Sequence, residues 1–245
     1  MDKLIKCKSP FSPWLDRRQP LSNRFIEEDY VDPIPEKGAN WDCFLALEEC
    51  WPLHIANELK WESLDKSIQE TDVFLDKASE LISGLGGGWL DSEEKHMIES
   101  SEDCVPPTPC LPIYIVTIKN ETEERVVYIG KTSASNRFSN GHSVALKLHN
   151  PKYNGFEKRL YRCSIWFNIN NEYACLEWLK PNTIPSKVLD SIESHLIWCA
   201  QPELNIGKKN RNYSKWCFFI HIQNFTGKSS LLNDVFATGI KNSIN

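Results

Sequence analysis

The chain has 245 residues, of which 41% are apolar and 25% are charged, and its formal net charge is −5. This composition is ordinary for a soluble globular protein, and the length suits one large domain or two small ones. No apolar run approaches the ~20 residues of a membrane helix, and residues 1–6 lack the apolar stretch of a secretory signal, so a cytoplasmic protein without membrane contact is expected.

The nine cysteines do not follow the spacing of a metal site. Cys43 and Cys50, like Cys104 and Cys110, are too far apart for a Cys-x-x-Cys knuckle, and no His-x-x-x-His pair accompanies them. An odd number of cysteines favours unbridged thiols, several of them buried, over a disulfide framework or structural zinc.

Charge is distributed unevenly along the chain. Residues 1–111 contain 11 Lys/Arg against 23 Asp/Glu, whereas residues 112–245 contain 17 against 10. A surface that binds a polyanion is therefore plausible on the second part only. Composition also drifts between domains without functional cause, so charge alone does not decide the question.

The first 111 residues are predicted to form three parts. Residues 1–40 are rich in proline and charge and predict an extended N-terminal arm, whose Phe11, Trp14 and Phe25 indicate packing against another part of the molecule. Residues 41–90 have helical periodicity and predict a helical acidic domain that ends at the glycines of residues 84–88. Residues 91–111 are acidic and interrupted by proline, which is typical of a linker.

The pattern changes after residue 111, and residues 112–245 are predicted to form a second domain. Residues 112–118 and 125–130 read as two strands joined by a polar turn. A helix is expected over residues 136–148, a third strand over 158–169, a helix with proline in its first turn over 185–200, and a strand over 215–222.

Six side chains of this second domain suit an attack on a phosphate ester. Adjacent antiparallel strands would bring Tyr114 and Tyr128 side by side, because cross-strand neighbours lie only ~5 Å apart. Each residue alone has an ordinary reading, as a strand tyrosine, a solvated arginine, a capping histidine, a helix glutamate or a turn asparagine. The functional reading rests on their joint occurrence and order: Tyr114, Tyr128, Arg137, His142, Glu193 and Asn205.

This arrangement resembles the GIY-YIG nuclease family over about residues 112–210. The matching pieces are Ile113-Tyr114, Tyr128-Ile129-Gly130 with Lys131, Arg137-Phe138 with Gly141-His142, Ile192-Glu193, and Pro202-x-Leu204-Asn205. Two details depart from the family pattern: Pro112 stands where glycine is usual, and the two tyrosines are farther apart. The resemblance implies an α+β fold, in which a small antiparallel sheet flanked by helices follows the mainly helical N-terminal domain.

The resemblance also implies a role for each site residue. A phenol, Tyr114 assisted by Tyr128 or Lys131, would deprotonate or orient the attacking water, and which tyrosine is the base stays open. Arg137 would steady the scissile phosphate, and Glu193 would coordinate one Mg²⁺, with Mn²⁺ as a substitute. His142 is a second candidate proton carrier, and Asn205 would orient the cleft through hydrogen bonds.

Basic side chains supply a candidate nucleic-acid surface. Lysine and arginine neutralise phosphates and position a duplex without reading its sequence. The competing reading of residues 208–216 is an exposed loop that enters a strand. The candidate contacts are Lys152, Lys158, Arg159, Lys208, Lys209, Arg211 and Lys215.

The preferred interpretation is a metal-dependent endonuclease that acts on DNA, most simply double-stranded, in a restriction-modification or phage-defence setting. Cutting both strands with one site per chain favours a homodimer, for which the N-terminal helices are the natural interface. The alternative is a catalytically inactive nuclease fold that binds nucleic acid or a protein partner. The sequence does not distinguish DNA from RNA or predict target specificity.

Overall fold

The computed structural model describes residues 4–32, 40–82, 85, 88–132, 138, 142–228 and 235–238. One seven-stranded mixed sheet forms its centre. Along the sheet the strands follow the order β3-β2-β4-β1-β6-β7, and β5 pairs with β4 beside this path. The strands are β1 (Asn40–Pro52), β2 (Ile113–Lys119), β3 (Glu124–Lys131), β4 (Glu157–Ile169), β5 (Glu172–Cys175), β6 (Cys217–Asn224) and β7 (Val235–Thr238).

Five α-helices accompany the sheet in the described residues, and their ends follow ordinary capping chemistry. Ser63 caps the first turn of the longest helix, and Asp91 and Glu94 form a reciprocal capping box at the start of the next. Gln201, in the left-handed region at φ 49°, ends the last helix. The helices are α1 (Ser12–Leu15), α2 (Leu64–Leu81), α3 (Ser92–Ser100), α4 (Ser143–Lys147) and α5 (Ile184–Ala200).

The N-terminal half contributes a central strand, and this corrects the predicted fold. The prediction of a mainly helical N-terminal domain beside a small sheet is wrong: β1 pairs antiparallel with β4 and parallel with β6, and so lies inside one large sheet. Side chains from Cys43 to Leu47 are buried on both faces. A strand buried on both faces reads as a continuous apolar run, which periodicity alone cannot distinguish from a buried helix.

The C-terminal elements agree with the sequence prediction. β2 and β3 form the expected antiparallel hairpin, and β4, α5 and β6 start and end within two residues of their predicted limits. The predicted helix over residues 136–148 is shorter in the described residues, where α4 covers only Ser143–Lys147. No disulfide joins any of the nine cysteines, and most of them are buried, as predicted.

The sheet is covered on both faces. On one face, α5 packs Val188, Ile192 and Leu196 against Ile115 and Ile129. On the other, Phe11 and Trp14 of the N-terminal arm pack with α2 and α3. α2 lies within the residues predicted as a helical domain, and α3 lies within those predicted as a linker. The same face carries a third cluster, which contains Tyr114, Trp61, Phe138 and the apolar residues of α4.

Candidate active site

Tyr114 and Tyr128 lie side by side on neighbouring strands, as predicted from their positions in the hairpin. The residue opposite Tyr114 across the β2–β3 pair is Gly130, and Tyr128 lies opposite Val116. The two rings are stacked with centroids 6.0 Å apart. Alternation along a strand puts residues 128 and 130 on one face of the sheet, so both phenols project from that face.

Gly130 makes this arrangement possible because it has no side chain. A Cβ at this position would stand 2.4 Å from both Cζ and Oη of Tyr114, and 2.8 Å from Cε1 of Tyr128. Real Cβ contacts are not this short, so the Tyr114 ring occupies the space that any other residue would fill.

His142 reaches the Tyr114 hydroxyl from the start of α4. Its Nε2 lies 2.9 Å from Tyr114 Oη, and its Nδ1 accepts a hydrogen bond of 3.2 Å from the Val144 N–H. An imidazole nitrogen that accepts a backbone hydrogen bond carries no proton, so the proton of the neutral ring is on Nε2. In this tautomer the imidazole N–H donates to the phenol oxygen.

Aromatic rings surround this phenol–imidazole pair. The indole of Trp61 meets Tyr114 edge-on with centroids 5.8 Å apart, and Phe138 stacks on both Trp61 and His142 at 4.8 Å. Tyr114 is 0% exposed, whereas Tyr128 is only partly buried. The Tyr114 hydroxyl is thus screened from bulk water, and Tyr128 is the phenol that meets solvent.

Arg162 extends the site across the sheet. It lies opposite Tyr114 on β4, and its guanidinium stands 4.5 Å above the Trp61 ring. On its other side it faces Glu49 of β1, whose Oε2 accepts from Arg162 Nη1 at 3.0 Å. A transverse row therefore runs from Glu49 through Arg162 and Tyr114 to Gly130 across four strands.

Glu193 and Lys131 do not join the tyrosine cluster. Glu193 belongs to α5, which packs on the opposite face, and its Oε2 lies 2.5 Å from the Lys208 ammonium. Lys131 forms an ion pair with Asp190 of the same helix. At the end of β3, Gly130 contacts the Tyr114 ring and the next residue, Lys131, contacts α5.

Asn205 holds the backbone of β3. Its Oδ1 accepts from the Ile129 N–H at 2.9 Å, and its Nδ2 donates to the Ile129 carbonyl at 2.8 Å. The neighbouring Leu204 N–H donates to the Val127 carbonyl at 2.8 Å. The segment after α5 therefore covers part of the outer edge of β3, and the Asn205 amide supports the strand that carries Tyr128.

Arg137 lies outside the described residues. Among the predicted nucleic-acid contacts, three basic side chains meet carboxylates: Lys152 pairs with Glu203, Arg159 with Glu157 and Glu124, and Lys208 with Glu193. These contacts lower the pKa of Glu203 through the Lys152 hydrogen bond and that of Glu157 through the Arg159 hydrogen bond.

The other four predicted contacts differ in their surroundings. Lys209 Nζ donates to the Pro202 carbonyl at 3.0 Å, and the Arg211 guanidinium lies over the Tyr213 ring. Lys158 is partly buried on the wall of a cleft, and Lys215 is exposed. Arg211 is also exposed, as is Lys152, which is paired with Glu203.

Within the part of the chain that the structure describes, no group of three or more His, Cys, Asp or Glu side chains is arranged to hold a metal ion, and no helix is long and apolar enough to cross a membrane. Comparison of the chain with family models, curated proteins and solved structures gave no match.

Sequence reasoning missed the parts of the site that come from outside the hairpin. Trp61 and Glu49 lie in the segment predicted to be helical, so no signal placed them beside Tyr114. Arg162 was recognisable only as one basic residue of a predicted strand. Nothing in the sequence indicated which strands would pair with β4 on its two sides.

Proposed function

We propose that the chain is a cytoplasmic, metal-dependent endonuclease that hydrolyses the phosphodiester bonds of DNA. The observation that supports this most directly is the hydrogen bond of 2.9 Å between Tyr114 Oη and His142 Nε2, beside a second tyrosine. An imidazole N–H that donates to a phenol oxygen stabilises the phenolate, which is a base strong enough to take a proton from an attacking water.

The two phenols take different parts in this proposal because their surroundings differ. Tyr128 meets solvent and orients the attacking water. Tyr114, enclosed by Trp61 and Phe138, accepts the proton with His142 as its hydrogen-bonding partner. The enclosing rings exclude competing water from the Tyr114 hydroxyl, which strengthens its hydrogen bond.

The Glu193 carboxylate would supply one oxygen ligand to a magnesium ion. Proteins often bind Mg²⁺ through one or two carboxylates together with substrate phosphates. The Glu193 carboxylate now holds the Lys208 ammonium, so the metal would replace that ammonium as counter-ion. Bound there, Mg²⁺ or Mn²⁺ would neutralise charge on the phosphate oxygens. The phosphate would have to lie at the end of β3, where Gly130 and Lys131 connect the two faces.

The test is cleavage of plasmid DNA with Mg²⁺, beside the same reaction with EDTA. Tyr114→Phe removes the phenol oxygen and should lower the cleavage rate about 100-fold or more, in the range of general-base catalysis. Tyr161→Phe is the matched control, because this buried tyrosine of β4 belongs to the cluster on the opposite face, where its hydroxyl bonds Glu124. Circular dichroism of both variants checks that they fold.

Three outcomes would contradict the proposal. The first is that the parent protein shows no metal-dependent cleavage of any DNA or RNA. The second is that Tyr114→Phe cleaves as fast as the parent. The third is that Tyr161→Phe loses as much cleavage activity as Tyr114→Phe. Size-exclusion chromatography with light scattering, with and without duplex DNA, tests the associated proposal of a homodimer that cuts both strands.

A second candidate is a catalytically inactive module that binds nucleic acid or a protein partner. Two observations favour it: the Tyr114 side chain is completely buried, and the Glu193 carboxylate is neutralised by Lys208. Retained DNA binding without cleavage by the parent protein would select this candidate over the nuclease.

A further inference from the structure

A charged cleft of about 580 Å³ adjoins the tyrosine cluster and takes no part in the chemistry described above. The N-terminal arm, β1, the segment before α2, the segment before β2, and β4 form its walls. Acidic and basic groups are equally numerous on these walls: Glu48, Glu49, Glu58 and Glu62 against Lys6, Lys8, Lys60 and Arg162. The cleft therefore suits a ligand that presents both hydrogen-bond donors and acceptors.

A β-bulge brings two consecutive carboxylates to this cleft. Leu47 pairs with Cys163 and Glu49 pairs with Arg162, so Glu48 is an extra residue on β1. In a regular strand, side chains 48 and 49 would point to opposite faces, whereas both line the cleft. Bulges often redirect side chains next to functional sites.

Glu48 keeps hydrogen-bonding capacity towards the cleft. Its Oε1 accepts from the Ser164 hydroxyl at 3.0 Å, and its Oε2 lies 3.9 Å from the Lys6 ammonium. Burial raises the pKa of Glu48, because a carboxylate is costly to remove from water. A ligand that donates N–H groups to this carboxylate would offset that cost.

Arg162 supplies a largely buried cation to the wall of the cleft. It is only 7% exposed and lies over Trp61, and its Nη1 bonds Glu49, yet its Nε is buried without a hydrogen-bond partner. An unpaired guanidinium N–H inside the protein is costly, but this N–H is closed off from the cleft. A ligand acceptor can meet only the small exposed part of the guanidinium. Trp51 adds an aromatic surface that is 38% exposed. Its Nε1–H donates a hydrogen bond of 2.8 Å to Glu49 Oε2, which holds the indole in place.

We propose that this cleft binds a guanine base. Guanine has a donor edge, N1–H and N2–H₂, that matches the Glu48 carboxylate, and an acceptor edge, O6 and N7, that matches the Arg162 guanidinium. The indole of Trp51 offers its face for stacking, and Lys6, Lys8 and Lys60 lie where they can meet a phosphate. Adenine, cytosine and uracil do not present both of these edges.

The guanine comes either from a free nucleotide or from an unpaired position of a nucleic acid. A guanine from a nucleic acid rests on the proposed nuclease function and would specify its substrate. Arg162 lies opposite Tyr114 on neighbouring strands, so a guanine held by Arg162 would place its own chain close to the tyrosine cluster. A nuclease so built would act next to an extruded or single-stranded guanine.

Isothermal titration calorimetry of the full-length chain in EDTA, which prevents cleavage, tests the site with GMP, AMP, CMP and UMP. We expect GMP to bind at least about tenfold more tightly than the other three. Glu48→Gln should weaken GMP binding about 10- to 100-fold, because it removes a charged acceptor of two N–H groups. Glu80→Gln, on the exposed side of α2, is the matched control and should leave binding unchanged.

Two results would overturn the proposal: equal binding of all four nucleotides, or equal GMP affinity of the parent and Glu48→Gln. An oligonucleotide with one bulged guanine, compared with its fully paired duplex and with a bulged adenine, distinguishes the sources. Preference for the bulged guanine supports the nucleic-acid source, and GMP binding without that preference supports the free nucleotide. GMP binding in a protein that cleaves no nucleic acid would reject the proposed function while retaining the guanine site.

Discussion

Gly130 shows how a single missing side chain determines the geometry of the candidate site. The Tyr114 ring passes over the glycine backbone at a distance that leaves no room for a Cβ. The ring is held there by Trp61 and Phe138, and its hydroxyl by His142. The glycine of the second tyrosine motif is therefore needed for packing, in addition to any role in turning the chain.

Replacing Gly130 by alanine should force Tyr114 out of its position. Overpacking of this kind costs about 1–3 kcal/mol, and we expect a loss of that size in the free energy of unfolding measured in urea. Gly155→Ala is the matched control, since a Cβ there meets nothing within 4 Å. Equal stability of the two variants would contradict the account of how Tyr114 is placed.

At the scale of elements, the edge strand β3 depends on the segment that follows α5. Asn205 bonds both polar groups of the Ile129 peptide, and Leu204 bonds the Val127 carbonyl. These contacts satisfy backbone groups that an edge strand otherwise exposes. They also couple the helix that carries Glu193 to the strand that carries Tyr128.

Asn205→Ala should therefore leave the Ile129 N–H and carbonyl without their partners. The loss of two buried hydrogen bonds should destabilise the protein by about 1–3 kcal/mol and speed hydrogen exchange at the Ile129 amide. Asn182→Ala, whose exposed amide bonds only the Lys180 ammonium among the described contacts, is the control. Unchanged exchange at Ile129 in Asn205→Ala would refute the proposed coupling.

Elements with local signals could be predicted from the sequence, and those set by distant contacts could not. The β2–β3 hairpin has a polar turn between two apolar runs, and α5 has a proline in its first turn, so both were predicted correctly. β1 lies in the segment predicted to be helical, because a strand buried on both faces lacks the apolar/polar alternation that identifies a half-buried strand. The bulge at Glu48 has no local signal, since it exists only in relation to β4.

The same limit applies to the candidate site. Tyr114 and Tyr128 could be paired in advance because the two strands are neighbours in sequence. Their enclosure by Trp61 and the row through Arg162 to Glu49 depend on long-range packing. The position of Glu193 on the opposite face likewise depends on which side of the sheet α5 covers.

At the scale of the whole molecule, the two parts predicted from sequence meet in one sheet. β1 separates β4 from β6 and bonds to both, so the C-terminal strands do not form a continuous sheet without it. The N-terminal arm adds Phe11 and Trp14 to the same core. The acidic N-terminal part and the basic C-terminal part are thus joined by the backbone hydrogen bonds of β1 to β4 and β6.

A fragment of residues 112–245 should consequently fail to fold cooperatively, because it lacks β1 and would expose the apolar side chains that β1 covers. We expect poor dispersion in its amide NMR spectrum and no cooperative unfolding transition. The comparison is a chain of residues 1–228, which loses the edge strand β7 but keeps every described residue of the three apolar clusters. A well-dispersed spectrum from 112–245 would show that β1 is dispensable.

The parallel contact between β1 and β6 links residues 40–47 to residues 217–224. During synthesis on the ribosome, β1 emerges long before either of its neighbours in the sheet. Its apolar side chains have no partner strand until β4 is made, and the parallel partner β6 follows later still. Contacts between such distant segments slow folding, since a large loop must close before they form. Newly made chains should therefore depend on chaperones that shield an exposed strand, more than proteins whose sheets form from successive hairpins.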